Sequence, residues 1–271
     1  MSAKQPSPAV RVVFLGSGSS GNATAIAWPG GAVLIDCGFS ASDTERRLQH
    51  AGIEPSSVLA LLVTHEHIDH VRGVDVFARR HGVPVYASAG TIRSDRLGTA
   101  LPELVRVRAG EPFRVDGASV LPVRVSHDAA EPLCFVLEAP GGTRVGIATD
   151  TGTLTSECAE ALAGCRIIGI ECNHDLDMLR TGRYPAFLKS RILSDHGHLS
   201  NPDAARALEA VASDVTEHVV GLHLSSENNT AELARRALAA AARSLGLTAT
   251  VAALAQGARP LAVQAGGAGP R

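Results

Sequence analysis

Val58-Leu-Ala-Leu-Leu-Val63-Thr64-His65-Glu66-His67-Ile68-Asp69-His70 is an apolar run that ends on a cluster of metal-binding side chains. Val58 to Val63 reads as a buried strand, and the spacing from Val71 to Arg80 predicts a helix. Between them stand three imidazoles and one carboxylate within six residues. Imidazole nitrogen suits zinc, iron and manganese, and a neighbouring carboxylate favours a harder divalent ion. His65 and His67, two apart on an extended loop, can point the same way, whereas Asp69 and His70 turn elsewhere as the helix begins. One short loop can thus feed two neighbouring ions.

The rest of the 271 residues frames this loop. Apolar residues make up 45% and charged residues 19%, the balance of an ordinary soluble globular protein. Aromatics are only 3%, so the core must be built mainly from Val, Leu, Ile and Ala. The formal net charge of −2 argues against a protein coated in nucleic acid, although a local basic patch can still serve one. Cys37, Cys134, Cys158, Cys165 and Cys172 are odd in number and form no Cys-x-x-Cys pair; they predict reduced thiols and a cytoplasmic location. No apolar stretch follows Met1 to Pro8, and none elsewhere reaches about 18 residues, so neither a secretory signal nor a membrane span is expected.

Strands are predicted at Val10–Leu15, Ala23–Ala27 and Ala32–Asp36, with Trp28-Pro-Gly-Gly31 as a hairpin turn. Ser42 to Ala51 has helical spacing with Ser42 or Asp43 as N-cap, and Val83–Tyr86 is a further strand. Short strands fill Val105 to Ile147. Beyond Asp150 helix and strand alternate: strands at Arg166–Ile170 and His218–Leu222, helices at Pro202–Val211 and Asn229–Leu245. Strand groups in each half, each followed by helices, suggest two sheets packed face to face with helices outside. One domain over residues 1–255 is expected, and the Gly-, Pro- and Ala-rich residues 256–271 are expected to be a disordered tail. Gly16-Ser-Gly-Ser-Ser-Gly-Asn22 invites a phosphate-loop reading but lacks the Gly-Lys-Ser/Thr ending, which favours a plain backbone turn.

The pattern His65-x-His67-x-Asp69-His70, set between strand and helix, resembles the signature of the metallo-β-lactamase superfamily of hydrolases. The resemblance implies an α/β fold, the four-layer αββα sandwich, and two divalent ions, zinc or manganese. It implies the remaining ligands residue by residue. His127, after the strand Ser119–Val125, matches the third imidazole for the first ion. Asp150, in Ala-Thr-Asp-Thr-Gly, matches the carboxylate that bridges both ions, and His223 matches the last imidazole. Asp36, in Ile-Asp-Cys-Gly, matches a position that supports the His65 loop without binding metal.

Superfamily members cleave lactams, thioesters and phosphodiesters, so the fold alone does not choose a substrate. The segments Ile170-Glu171-Cys172-Asn173-His174-Asp175, Gly197-His198-Leu199-Ser200-Asn201 and His223-Leu224-Ser225, followed by Asn228-Asn229, resemble the YycJ (WalJ)-type branch, regarded as DNA-directed metal-dependent nucleases. That likeness runs from about Val10 to Leu245. The His198 element is also similar to one in tRNA 3′-processing endonucleases of the superfamily, which implies that His198 gives a proton to the leaving oxygen or steadies charge on the phosphate. A DNA phosphodiesterase, an exonuclease, is therefore expected, with Asp69 and His198 as catalytic residues and a hydroxide shared between the two ions. His174, Arg180, Arg183, Ser225 and Asn229 are candidate substrate contacts. Arg180, Arg183, Lys189 and Arg191 could grip phosphates beside a stacking Tyr184, or form a solvated helical face. A small-molecule hydrolase such as a thioesterase is the alternative. A metal-binding regulatory module without turnover would lack a ligand, and here all seven positions are filled.

Overall fold

The structure, a computed structural model, describes residues 9–266. Strands β1 (Val10–Gly16), β2 (Ala23–Trp28), β3 (Gly31–Ile35), β4 (Val58–Leu62), β5 (Val85–Ser88) and β6 (Leu104–Val107) come from the first part of the chain. The second part gives β7 (Phe113–Val115), β8 (Ala118–Arg124), β9 (Leu133–Glu138), β10 (Arg144–Ala148), β11 (Ile167–Glu171), β12 (His218–Leu222), β13 (Thr250–Ala253) and β14 (Leu261–Ala265). The helices are α1 (Ala41–His50), α2 (Ile68–Val71), α3 (Val74–His81), α4 (Ala89–Arg93), α5 (Ser156–Leu162), α6 (Leu176–Thr181), α7 (Ala186–Ile192), α8 (Asn201–Val211) and α9 (Ala231–Ser244).

One sheet has the order β14-β1-β2-β3-β4-β5-β6, the other β13-β12-β11-β10-β9-β8-β7. Three apolar layers follow from the alternation of side chains along each strand. In β1, Val12 and Phe14 join Phe135, Ile147 and Leu222 between the sheets, while Val13 and Leu15 turn the other way to meet Leu48 of α1 and Phe77 of α3. The outer face of the second sheet packs Ile168 and Val219 against Leu162, Leu208 and Leu238 of α5, α8 and α9. Two sheets with one helical layer outside each make an αββα sandwich. Among the described residues no helix is long and apolar enough to cross a membrane.

Three local expectations are corrected. Leu261–Ala265 is an edge strand, paired antiparallel with β1 from Val10↔Ala265 to Phe14↔Leu261, so residues 256–271 are not a disordered tail throughout. Leu261 and Val263 pack on the core between the sheets, burial that the Gly-rich flanks conceal; residues 267–271 lie outside the described residues. The N-cap of α1 is Ser40, whose hydroxyl accepts from the Asp43 backbone N–H, because the helix starts earlier than its apolar spacing suggests. The helix expected around Val71 to Arg80 is two helices broken near Gly73, where a β-carbon would lie 2.4 Å from the Phe39 carbonyl oxygen and 2.7 Å from Cys37 Sγ. That break lets α2 begin at Ile68, inside the histidine loop.

Candidate metal centre

Strand ends deliver the site. Asp36 follows β3, His65 follows β4, Asp150 follows β10, Glu171 closes β11 and His223 follows β12. Asp36, Asp150 and His223 have φ of 59°, 56° and 54°, a left-handed conformation costly for residues with a side chain. Each makes an abrupt turn where the sheet stops, and the surrounding packing holds it there.

The histidine loop is braced from beneath. Asp36 accepts from the Thr64 backbone N–H at 2.8 Å and from the Thr64 hydroxyl at 2.9 Å. It also lies 2.7 Å from His70 Nδ1, which leaves His70 Nε2 for the centre. Thr64 Oγ1 is 3.0 Å from His65 Nδ1 and so turns His65 Nε2 the same way. Gly38 makes this junction possible: a β-carbon there would stand 1.7 Å from the Asp69 carbonyl oxygen. Asn22 Nδ2, on the glycine-rich turn, reaches within 3.1 Å of His70 Nε2, and Ser17 Oγ accepts from the His223 backbone N–H at 2.8 Å. The turn therefore sits against the site and supports it through the Asn22 and Ser17 side chains.

Two groups of donors result. His65, His67 and His127 form one, and Asp69, His70 and His223 another, each with ligand atoms within 4.8 Å of one another. Asp150 stands between them, with Oδ1 3.8 Å from His127 Nε2 and 3.4 Å from His223 Nε2, and Oδ2 3.2 Å from His70 Nε2. The buried Nε2 atoms of His65, His127 and His223 have no hydrogen-bond partner. Buried polar atoms seldom stay unpaired, and convergent imidazole nitrogens beside carboxylates are the donor set of a divalent metal. The residues fit the ion that the resemblance implies.

The groups differ in charge. Burial drives the pKa of His65 well down, and neighbouring imidazoles add to this; burial likewise lowers that of His127. Burial also opposes charge on His223, but Asp150, Asp69 and Glu171 outweigh it and push the pKa up to about 10. His70 is raised in the same way by Asp150 and Asp36 against the cost of burial. Burial would raise Asp150, yet His223 and His70 hold its carboxyl well below the usual range.

Glu171 is the functional residue that sequence reasoning left without a role. Fully buried, it accepts from four donors: His198 Nδ1 at 2.7 Å, His223 Nδ1 at 3.1 Å, and the backbone N–H groups of Thr151 at 2.8 Å and Leu199 at 3.4 Å. A carboxylate so filled serves to orient both imidazoles. Its signal was its place, an acid closing an apolar strand as Asp36 and Asp150 do. His198 is half-buried; desolvation lowers its pKa, but Glu171 more than compensates and raises it. The ring lines a cavity of about 170 Å³ together with Ser19, Asp128, Tyr184, Leu188, Arg191 and Ser225.

The candidate substrate contacts divide. Ser225 is on the cavity wall, its hydroxyl also accepting from the backbone N–H groups of Glu227 and Asn228. Asn229 is buried and pairs with Asn201 and the Cys172 carbonyl, so it ties loops together behind the wall. His174 is buried too, its pKa driven by burial down to about 4, and is not part of the wall. Arg180 and Arg183 are exposed outside the cavity. The basic side chain on the wall is Arg191, 2.5 Å from Asp128. The break between α6 and α7 carries it to the cavity rim, where it stays exposed, a placement that one-dimensional spacing does not reveal.

The sandwich and the metal-binding cluster at its strand ends define a metal-dependent hydrolase. The family model described as "Beta-lactamase superfamily domain" matches residues 32–224. The chain is 38% identical over 224 residues to the exodeoxyribonuclease YycJ of Bacillus anthracis, covering 82% of this chain and 84% of that protein. It is 35% identical over 226 residues to the exodeoxyribonuclease WalJ of Streptococcus pneumoniae, again covering 82% and 84%. Among solved structures, the metallo-β-lactamase fold protein YhfI of Bacillus subtilis superposes with a TM-score of 0.71 at 13% identity, covering 95% of this chain and all of that one. The chain belongs to the metallo-β-lactamase superfamily, in its YycJ/WalJ-type branch.

Proposed function

We propose that the chain is a dinuclear-metal phosphodiesterase acting on DNA, an exonuclease. The observation that favours this reading is the Glu171–His198 pair, 2.7 Å apart, beside Asp150 and at the edge of the cavity. Divalent ions, when bound, lower the pKa of water and neutralise charge on a phosphate. His65, His67 and His127 would hold one ion and Asp69, His70 and His223 the other, with Asp150 shared. His198 keeps its proton through Glu171 and gives it from Nε2 to the leaving-group oxygen, the role of a general acid. Tyr184 offers a ring on which a base can stack, and Arg191 a guanidinium for a phosphate. The names of the YycJ and WalJ relatives support DNA as substrate. The buried free thiols suit a reducing compartment, so we place the protein in the cytoplasm.

A gel assay on end-labelled DNA and RNA with manganese or zinc, using Asp69→Ala as control, tests this. DNA shortened from one end by the native chain and left intact by the variant is the expected outcome. Absence of DNA cleavage with every metal would sink the proposal. Turnover of an acyl-glutathione in its place would favour a thioesterase, a site that needs neither the His198 pair nor Arg191.

A further inference from the structure

A second cleft lies one loop away from the metal centre. It encloses about 660 Å³ between β1, α1 and the segment leading into β14, and its walls carry Arg11, Arg46, Arg47, His50 and Arg259 but no acidic side chain. These arginines come from three separate stretches of the chain, and the whole protein has a net charge of −2, so their convergence is local. Two of them are anchored. Arg47 donates to Asp43 Oδ2 and the Leu15 carbonyl and lies 4.0 Å over the Phe39 ring; Arg11 donates to the Ala51 carbonyl. Asp43, bonded to both Arg46 and Arg47, is the carboxylate paired with the group. Arg46 remains 58% exposed, and among the described residues Arg259 has no hydrogen-bond or ion-pair partner. Like charges gathered in a concave site repel one another and focus a positive potential that an anion relieves.

Its position gives the cleft a use. His70 contacts Asn22, which bonds Gly18. The Gln256 side chain would lie 2.8 Å from a β-carbon on Gly18, and Gly257 next to it is on the cleft wall. A polynucleotide with one phosphate at the metal centre can cross this ridge and place another phosphate in the cleft. Guanidinium forks match phosphate oxygens, and fixed backbone contacts position a strand without reading its bases.

We propose that this arginine cleft is a second phosphate-binding site, which grips the backbone of a bound polynucleotide away from the scissile bond. This rests on the phosphodiesterase reading above. To test it, the full chain with chelator present is titrated with a long fluorescent single-stranded oligonucleotide. The native protein is compared with Arg46→Gln/Arg259→Gln and with a control of equal charge change, Arg236→Gln/Arg243→Gln on α9. We expect the cleft variant to bind about tenfold more weakly, its salt-dependence slope lowered by about 1.4, and the control to change less than about twofold. With metal added, hydrolysis of bis(nitrophenyl) phosphate, too small to span the ridge, stays at the native rate. Equal weakening in both variants, or none in the cleft variant, overturns the proposal. So does loss of inorganic phosphate binding with oligonucleotide binding intact, which would mark a site for free phosphate. The binding arm needs no cleavage, so a native chain inactive on DNA would refute the nuclease reading separately.

Discussion

The part of the chain that builds β1 to β6 supplies donors to the centre from one loop, His65 to His70, whereas the part from β7 onward supplies His127, Asp150 and His223 from separate strand ends. The two halves are otherwise alike, each an antiparallel start continuing into parallel strands. In the first half one acid, Asp36, braces the loop through Thr64 and His70. In the second, Glu171 aligns His223, brought beside it by the parallel pairing of β11 with β12, and His198, whose loop is held by the Asn173 N–H to Leu199 carbonyl bond and the His174–Ser200 bridge. A local cluster thus depends on a turn, and a dispersed one on the sheet.

Each contrast can be broken by substitution. The largest effect is expected at Asp150, which serves both donor groups: Asp150→Ala should lower phosphodiesterase turnover by at least about 10³-fold. Metal analysis should then find both ions weakened, while His67→Ala should retain about one ion per chain. Equal stoichiometry in the two variants would break the assignment of Asp150 as the shared residue. Next comes Gly38→Ala, which drives a β-carbon into the Asp69 backbone and should cost about 3 kcal/mol, read as a lower denaturant midpoint. A stability near that of the native chain would show that the loop junction yields.

Glu171→Gln should reduce kcat by about 10–100-fold, because one carboxylate oxygen accepts from both imidazoles and the other from the Thr151 and Leu199 N–H groups, and an amide NH2 cannot accept the second pair. Partial recovery in Glu171→Asp would mark orientation as the cause. Asp36→Asn should fall toward the lower end of that range, since the backbone around His65 to His70 keeps part of the loop in place. A larger loss at Asp36 than at Glu171 would reverse the comparison. Smallest for activity is Asn229→Ala: a loss of about 1–3 kcal/mol in stability with KM unchanged, as expected for a tie between buried loops. A raised KM would return Asn229 to the substrate site.

How far the sequence could be read follows from the same physics. The strands and the histidine loop were legible because alternation, glycine punctuation and adjacent ligands are local signals. The edge strand Leu261–Ala265 was hidden by its flanks, since its partner β1 lies at the other end of the chain. Glu171 was visible as an acid after a strand, yet nothing nearby in sequence shows that it faces His198 and His223. The arginines between Arg180 and Arg191 look equivalent in one dimension; only the turn between α6 and α7 puts Arg191 on the cavity wall.

By itself, the sequence marked most strands and helices and the metal-binding loop, because side-chain periodicity and ligand chemistry are properties of neighbouring residues; the sandwich they build came from the resemblance that the loop carries. Tertiary structure alone decided that Glu171 contacts two imidazoles and that the arginines of α1, β1 and the β14 approach share a cleft. Those facts depend on strand register and on packing across the sandwich, where contacts form between residues that the chain holds far apart.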